Sequence, residues 1–257
     1  MNVIYNEILK NLLNKPIVGN TRELLNVRFT INPEHNILTY RHLSLKYLLA
    51  EMIWYFSGNN DVKFIGQFAD LWNRLTDDGI TNNSAYGYIL KNKFDFDQIE
   101  QVIEMLRKDP LSRRAVVNIN TPHNKKIETN DEPCTVALQF YIRKGKLSST
   151  SFMRSNDVWF GLPYDIVFFT ELNRYIARRL KIGTGKHTHF VTSMHLYLRD
   201  EEKIKQVIKN FETKNKKEYK INFRKLINNA KQLYEMVNKD NILQVCKDEG
   251  IIWKSHC

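Results

Sequence analysis

The sequence predicts a mixed α/β protein folded as one unit, 1–257, with helices packed against a β-sheet. Three observations carry this. Segments with apolar residues three and four apart alternate with short β-branched and aromatic runs. No internal repeat, Pro-rich linker or low-complexity tract divides the chain. No stretch reaches the roughly 18 unbroken apolar residues that a membrane span requires.

Taken in order, Ile4, Ile8 and Leu12 recur at helical spacing and mark a first amphipathic helix. Residues 43–56 are apolar on most sides and read as a buried helix, with Glu51 set inside it. Ile99, Val102, Ile103 and Leu106 define another amphipathic helix, which stops at Asp109-Pro110. Residues 115–119, 135–142, 147–152 and 190–198 have strand composition. Lys144-Gly145 between the second and third is a turn signal, because Gly takes a positive φ without steric penalty, so 135–152 is expected to be a hairpin. Residues 166–180 read as a second buried helix. Beyond residue 200 the periodicity predicts helices at 201–211 and 223–237, joined by a Lys-rich connection, with no function attached to either.

The three cysteines, Cys134, Cys246 and Cys257, are too few for a disulfide framework and lack the close pairs of a zinc site. The N-terminus carries no basic leader or long apolar segment, which predicts a cytoplasmic protein with no membrane partner. A net charge of +11 suits an anionic partner: a nucleotide phosphate, a polyglutamate tail or a nucleic acid. Much of the excess is Lys scattered over 203–239 among Asn and Glu, which describes a solvated surface and makes a nucleic-acid partner unlikely on these grounds.

Several residues could carry chemistry. Cys134 follows Pro133 and opens a strand; an isolated cysteine is more often a small buried hydrophobe than a nucleophile. Arg154, after the hairpin, would return near Cys134 and favour its thiolate. Arg113 and Arg114 enter a strand together, either as a solvated pair or as phosphate ligands. Residues 154–165 are polar and turn-forming between a strand and a buried helix, where functional loops tend to lie. Glu51 in an apolar helix is either half of a salt bridge or a carboxyl of raised pKa able to move protons. His187, His189 and His195 share one strand parity, but the gap from 189 to 195 is long for two ligands, and no metal is expected.

Together these segments resemble the motifs of the thymidylate synthase superfamily over roughly residues 15–200. Ala50-Glu51 through Trp54, Phe56 and Gly58 is similar to the family's glutamate-bearing helix; Leu71-Trp72 and Tyr86-Gly87 resemble its cofactor-side tryptophan and active-site tyrosine. Asp109-Pro110 to Ser112-Arg113-Arg114 resembles its phosphate-binding segment, and Pro133-Cys134 its nucleophile. Arg154-Ser155, Asp157, Gly161, Pro163 and Asp165 follow its RSxDxxLGxPFN motif except at the end. His195 and Tyr197 follow its sugar-binding pair.

The resemblance implies a thymidylate synthase-like fold, with a twisted mixed sheet at the interface of a homodimer whose chains donate Arg113 and Arg114 across it. It implies Cys134 as nucleophile, with Glu51, Tyr86 and Asp165 in catalysis. Arg22, in a segment similar to the N-terminal loop, would join Arg154 and Ser155 on the phosphate of a pyrimidine nucleoside monophosphate. His195 and Tyr197 would hold the sugar hydroxyl, Asp157 would touch both substrates, and Trp72 and Gly161 would line the site of the cosubstrate, 5,10-methylenetetrahydrofolate.

The departures are informative. Asp165 stands where synthases carry an asparagine that reads uracil, and an aspartate there resembles the deoxycytidylate hydroxymethylases. Thr135 replaces a histidine, Ser193 an aspartate, Leu75 a second tryptophan and Met153 a glutamine, all in the same direction. The expectation is one-carbon transfer to carbon 5 of dCMP, with water completing a hydroxymethyl group. The alternatives within the class are action on dUMP, hydroxymethylation of CMP, or methylation of dCMP; outside it stand a basic nucleic-acid-binding protein and a Cys/His hydrolase.

Overall fold

The computed structural model describes residues 1–122 and 128–253. Six strands form one sheet: β1 (Ile17–Val18), β2 (Thr21–Ile31), β3 (Val116–Asn118), β4 (Thr135–Arg143), β5 (Lys146–Asp157) and β6 (Gly183–Tyr197). Their spatial order is β1-β2-β6-β5-β4-β3. All neighbours are antiparallel except β5 and β6, which run parallel and are joined by the crossover helix α7 (Leu162–Leu180). The mixed sheet packed with helices is the architecture the sequence predicts.

The β4–β5 hairpin turns at Lys144 and Gly145, both at positive φ (50° and 69°), as the Lys-Gly dipeptide indicates. Along β5 the side chains alternate: Leu147, Ser149, Ser151 and Met153 are buried beneath α7, while Phe152 on the other face is exposed.

The remaining helices are α1 (Asn2–Leu13), α2 (Leu45–Ser57), α3 (Val62–Ile65), α4 (Leu71–Leu75), α5 (Tyr86–Lys91), α6 (Gln98–Lys108), α8 (Glu201–Glu212), α9 (Phe223–Asn228), α10 (Ala230–Met236) and α11 (Ile242–Asp248). Helix α2 is the central one: every residue from Leu48 to Ser57 is buried. Its start is capped by Ser44, whose hydroxyl accepts from the Tyr47 amide at 3.4 Å, and its end by Gly58 at φ 84°. Asp97 caps α6 through the Ile99 and Glu100 amides, and Ile99, Val102, Ile103 and Leu106 form its buried stripe. Helices α9, α10 and α11 all pack on α2, which gives residues beyond 220 a place in the core.

Three expectations are corrected and one unassigned stretch is placed. Residues 17–31, for which the sequence predicts no element beyond the likeness of the Arg22 segment to an N-terminal loop, form β1 and β2; β2 pairs with β6 along nearly its whole length, a long-range partnership no local pattern reveals. Strand β5 continues through Arg154 to Asp157, so the turn begins only at Val158. Strand β6 begins at Gly183 rather than 190. The helix expected over 223–237 is two, α9 and α10, because Asn228-Asn229 interrupts it with side chains that compete for backbone hydrogen bonds. The terminal segment 254–257, including Cys257, lies outside the described residues. No helix among the described residues is long and apolar enough to cross a membrane.

Candidate active site

The ends of β5 and β6, the first turn of α7 and the residue before β4 meet at one end of the central strands. The Arg154 amide donates to the Cys134 carbonyl at 2.9 Å, so the arginine does return to the cysteine. Its guanidinium donates to the carbonyls of Pro133 (3.2 Å) and Glu132 (2.8 Å) and so grips the segment that presents the thiol. Burial nevertheless outweighs the cation. It pushes the Cys134 thiol up to about 11, with Arg154 opposing the shift and Asp165 adding to it. The thiolate expectation is therefore met in the direction of the Arg154 effect only; in the free protein the sulfur is protonated at neutral pH.

Asp165 sits in the first turn of α7, half-buried, and its Oδ2 accepts from Asn156 Nδ2 at 2.8 Å. Burial raises its carboxyl to about 7, with the Asn156 bond opposing. Gly161 makes this pairing possible. A Cβ there would stand 2.6 Å from Asn156 Nδ2 and 3.2 Å from Asp165 Oδ2. Gly161→Ala is expected to rotate the Asn156 amide away and lower kcat/KM about tenfold, the scale of one lost hydrogen bond in a dry site. Steady-state kinetics beside an unfolding curve would check it and separate the lost pairing from any loss of folding.

Glu51 is buried in α2 and makes no ion pair among the described residues; Oε1 accepts from Tyr47 Oη at 2.5 Å, and Tyr47 in turn accepts from Trp72 Nε1 at 3.1 Å. Tyr47 was not singled out in the sequence, although its place one turn before Glu51 puts it on the same helix face. Burial raises Glu51 to about 8, against the pull of the Tyr47 bond. A carboxyl raised on folding takes up protons, so stability is fully present below the unfolded value near 4.5 and is lost as pH rises through 8. Glu51→Gln is therefore expected to unfold later than the wild type at pH 8.5, by on the order of a few kcal/mol, and equally at pH 4. Denaturant titrations at the two pH values would show this.

Tyr86 opens α5, stacks on Tyr55 at 5.3 Å, and its hydroxyl lies near Thr135, next to Cys134. Its charge couples to both Cys134 and Asp165. Ser155 Oγ and His195 Nδ1 lie 3.2 Å apart; His195 and Tyr197 meet edge to face at 5.1 Å and share one strand face. Asp157 Oδ1 accepts from the Trp159 amide at 2.7 Å, and its backbone pairs with His195 across β5 and β6. Burial raises the Asp157 carboxyl, with His195 among the groups opposing.

Other expected residues lie elsewhere. Arg22 is on β2, paired with Glu201 at 3.1 Å, and donates to the Lys15 carbonyl. Arg113 and Arg114 are exposed before the edge strand β3, with no ion pair to either among the described residues. Trp72 is buried behind Tyr47, edge to face with Trp54 at 5.1 Å. His187 and His189 point into the core beneath α7, bonded to Ser149, Ser151 and Asn156.

A thiol beside an arginine, two carboxyls kept protonatable near neutrality, and a Ser-His-Tyr edge suited to hydroxyls form one cluster, in which Asp165 acts on both Glu51 and Cys134. The family model described as thymidylate synthase matches residues 18–244, most of the 257-residue chain. With this match and its mixed sheet, the chain belongs to the thymidylate synthase family, whose members are transferases that move a one-carbon unit from methylenetetrahydrofolate to a pyrimidine nucleotide.

Proposed function

We propose that the chain acts as one catalytic unit, a deoxycytidylate hydroxymethyltransferase that converts dCMP to 5-hydroxymethyl-dCMP. The observation that carries this reading is Asp165, a carboxyl raised to about 7. The cytosine edge presents a bare ring nitrogen and an exocyclic amine; a protonated carboxyl donates to the first and accepts from the second. A mismatched polar edge in a dry site is discriminated by orders of magnitude, because buried groups are left unpaired.

In this reading Cys134, once deprotonated, adds its sulfur to carbon 6 and makes carbon 5 nucleophilic. Protonated Asp165 stabilises the charge that develops at ring nitrogen 3. Glu51, with Tyr47 behind it, and Tyr86 organise water and proton movement, the proton of carbon 5 included. Arg154 and Ser155 hold the phosphate, His195 and Tyr197 the sugar hydroxyl, and Asp157 orients both substrates. The folate supplies the one-carbon unit. The residues suit it, since the raised Glu51 can give a proton to a nitrogen-rich ring and is tied through Tyr47 to Trp72.

We further propose a cytoplasmic homodimer in which each protomer's Arg113 and Arg114 complete its partner's phosphate site. Two observations support it: both arginines are exposed, and the sheet face away from α7 exposes Phe152 and Val136. Mass spectrometry of products from an equal mixture of dCMP, dUMP and CMP with methylenetetrahydrofolate tests the reaction. Hydroxymethylated deoxycytidylate is expected; methylated product from dUMP would overturn the reading.

A further inference from the structure

Asp165 is the end of a buried chain of hydrogen bonds. Asn156 Nδ2 donates to Asp165 Oδ2 at 2.8 Å, and Asn156 Oδ1 lies 3.1 Å from His189 Nε2. An amide oxygen carries no proton, so His189 must donate from Nε2. Burial keeps His189 neutral, which leaves Nδ1 bare to accept from the Ser151 hydroxyl at 2.8 Å. That hydroxyl has then spent its one proton. At 3.2 Å from Ser151 Oγ, His187 Nε2 must therefore donate, and its own Nδ1 accepts from Ser149 Oγ at 2.9 Å. Ser149, His187, Ser151, His189 and Asn156 are all almost wholly buried, so water does not scramble the order.

Every proton in this chain points the same way, toward Asp165. The opposite amide orientation at Asn156 would reverse all of them, leaving both histidines protonated on Nδ1 and the proton of Asp165 on Oδ2. Which polarity holds matters because a neutral carboxyl is nearly symmetric. It can donate to the ring nitrogen of cytosine and accept from its amine. By exchanging which oxygen carries the proton, it can equally accept from the ring N–H of uracil and donate to its carbonyl.

We propose that Ser149, His187, Ser151, His189 and Asn156 form a positioning relay that breaks this symmetry, holding Asp165 Oδ2 as an acceptor so that its proton resides on Oδ1. The base whose edge matches that fixed arrangement is selected. The inference rests on the cytosine-nucleotide reading for the identity of the base, but the relay itself acts whichever base is preferred. It explains a feature the reaction does not otherwise use: two uncharged histidines, 0% exposed, stacked between serines under α7.

The test has two parts. Nitrogen-15 NMR of histidine-labelled wild-type protein, assigned with His187→Gln and His189→Gln, should find both rings neutral with the proton on Nε2. Protons on Nδ1, or charged rings, would overturn the relay as drawn. In parallel, kcat/KM for dCMP and dUMP is measured in Asn156→Ala, Ser151→Ala and Ser151→Thr. The ratio should fall about tenfold or more in Asn156→Ala, severalfold in Ser151→Ala, and hold in Ser151→Thr, which keeps the hydroxyl. A merely structural role would lower both substrates alike; an unchanged ratio in folded Asn156→Ala overturns the proposal. If the wild type prefers dUMP, the cytosine reading fails, while the relay survives if Asn156→Ala collapses that preference.

Discussion

Cys134→Ala should lower turnover by roughly 10⁴-fold or more, the scale on which loss of a covalent nucleophile is measured elsewhere. Nucleotide binding should persist, because Arg154 holds its place through the Glu132 and Pro133 carbonyls, which the substitution leaves intact. Cys134→Ser should do no better, since a hydroxyl ionises far less readily than a thiol. Calorimetry of dCMP binding beside single-turnover chemistry would separate the two effects. With the thiol at about 11, alkylation of Cys134 in the free protein should climb about tenfold per pH unit from neutrality upward. A plateau reached by pH 8 would mean that Arg154, and not burial, governs the sulfur.

The second large effect is expected at Asp165. Asp165→Asn should invert base preference, with the ratio of kcat/KM for dCMP over dUMP falling by roughly 10³-fold or more. An asparagine offers one fixed donor and one fixed acceptor, which suits uracil in one amide orientation, and nothing about it titrates. The wild-type carboxyl does. Raised to about 7 by burial, it is protonated below that pH and ionised above, so the form that donates to cytosine is lost as pH rises. On the Cys134→Ala chain, which cannot turn over, dCMP affinity should weaken about tenfold per unit above pH 7 and stay level in the Asp165→Asn double variant. Affinity that is flat across this range in the parent would sink the protonated-aspartate reading.

Local chemistry made much of the fold legible. The Lys144-Gly145 turn, the capped stripe of α6 and the greasy length of α2 each state their structure within a dozen residues. What stayed hidden depends on partners distant in sequence. Strand β2 mixes Arg22, Glu23, Asn26 and Arg28 among its apolar residues and exists because β6 pairs with it. The end of β5 reads as a polar loop until its pairing with Ser193 and His195 is seen. In the site, the Cys134 and Arg154 meeting was inferable from the hairpin, whereas the balance between burial and charge on the sulfur required the packed surroundings. Asn156, His187 and His189 gave no local sign of acting together, since they sit on two strands that become neighbours only through a crossover.

That crossover has a consequence for heredity. Strand β5, α7 and β6 are consecutive in the chain, so residues 149–195 contain the arginine beside the thiol, the carboxyl proposed to read the base, the buried chain behind it and the histidine proposed to hold the sugar. The nucleophile and Glu51 lie outside this stretch. On the proposed reading, base choice and bond-making chemistry are thus written on separable lengths of gene. Exchange of residues 149–195 between two members of the family is then expected to carry base preference with it while the recipient keeps its own cysteine.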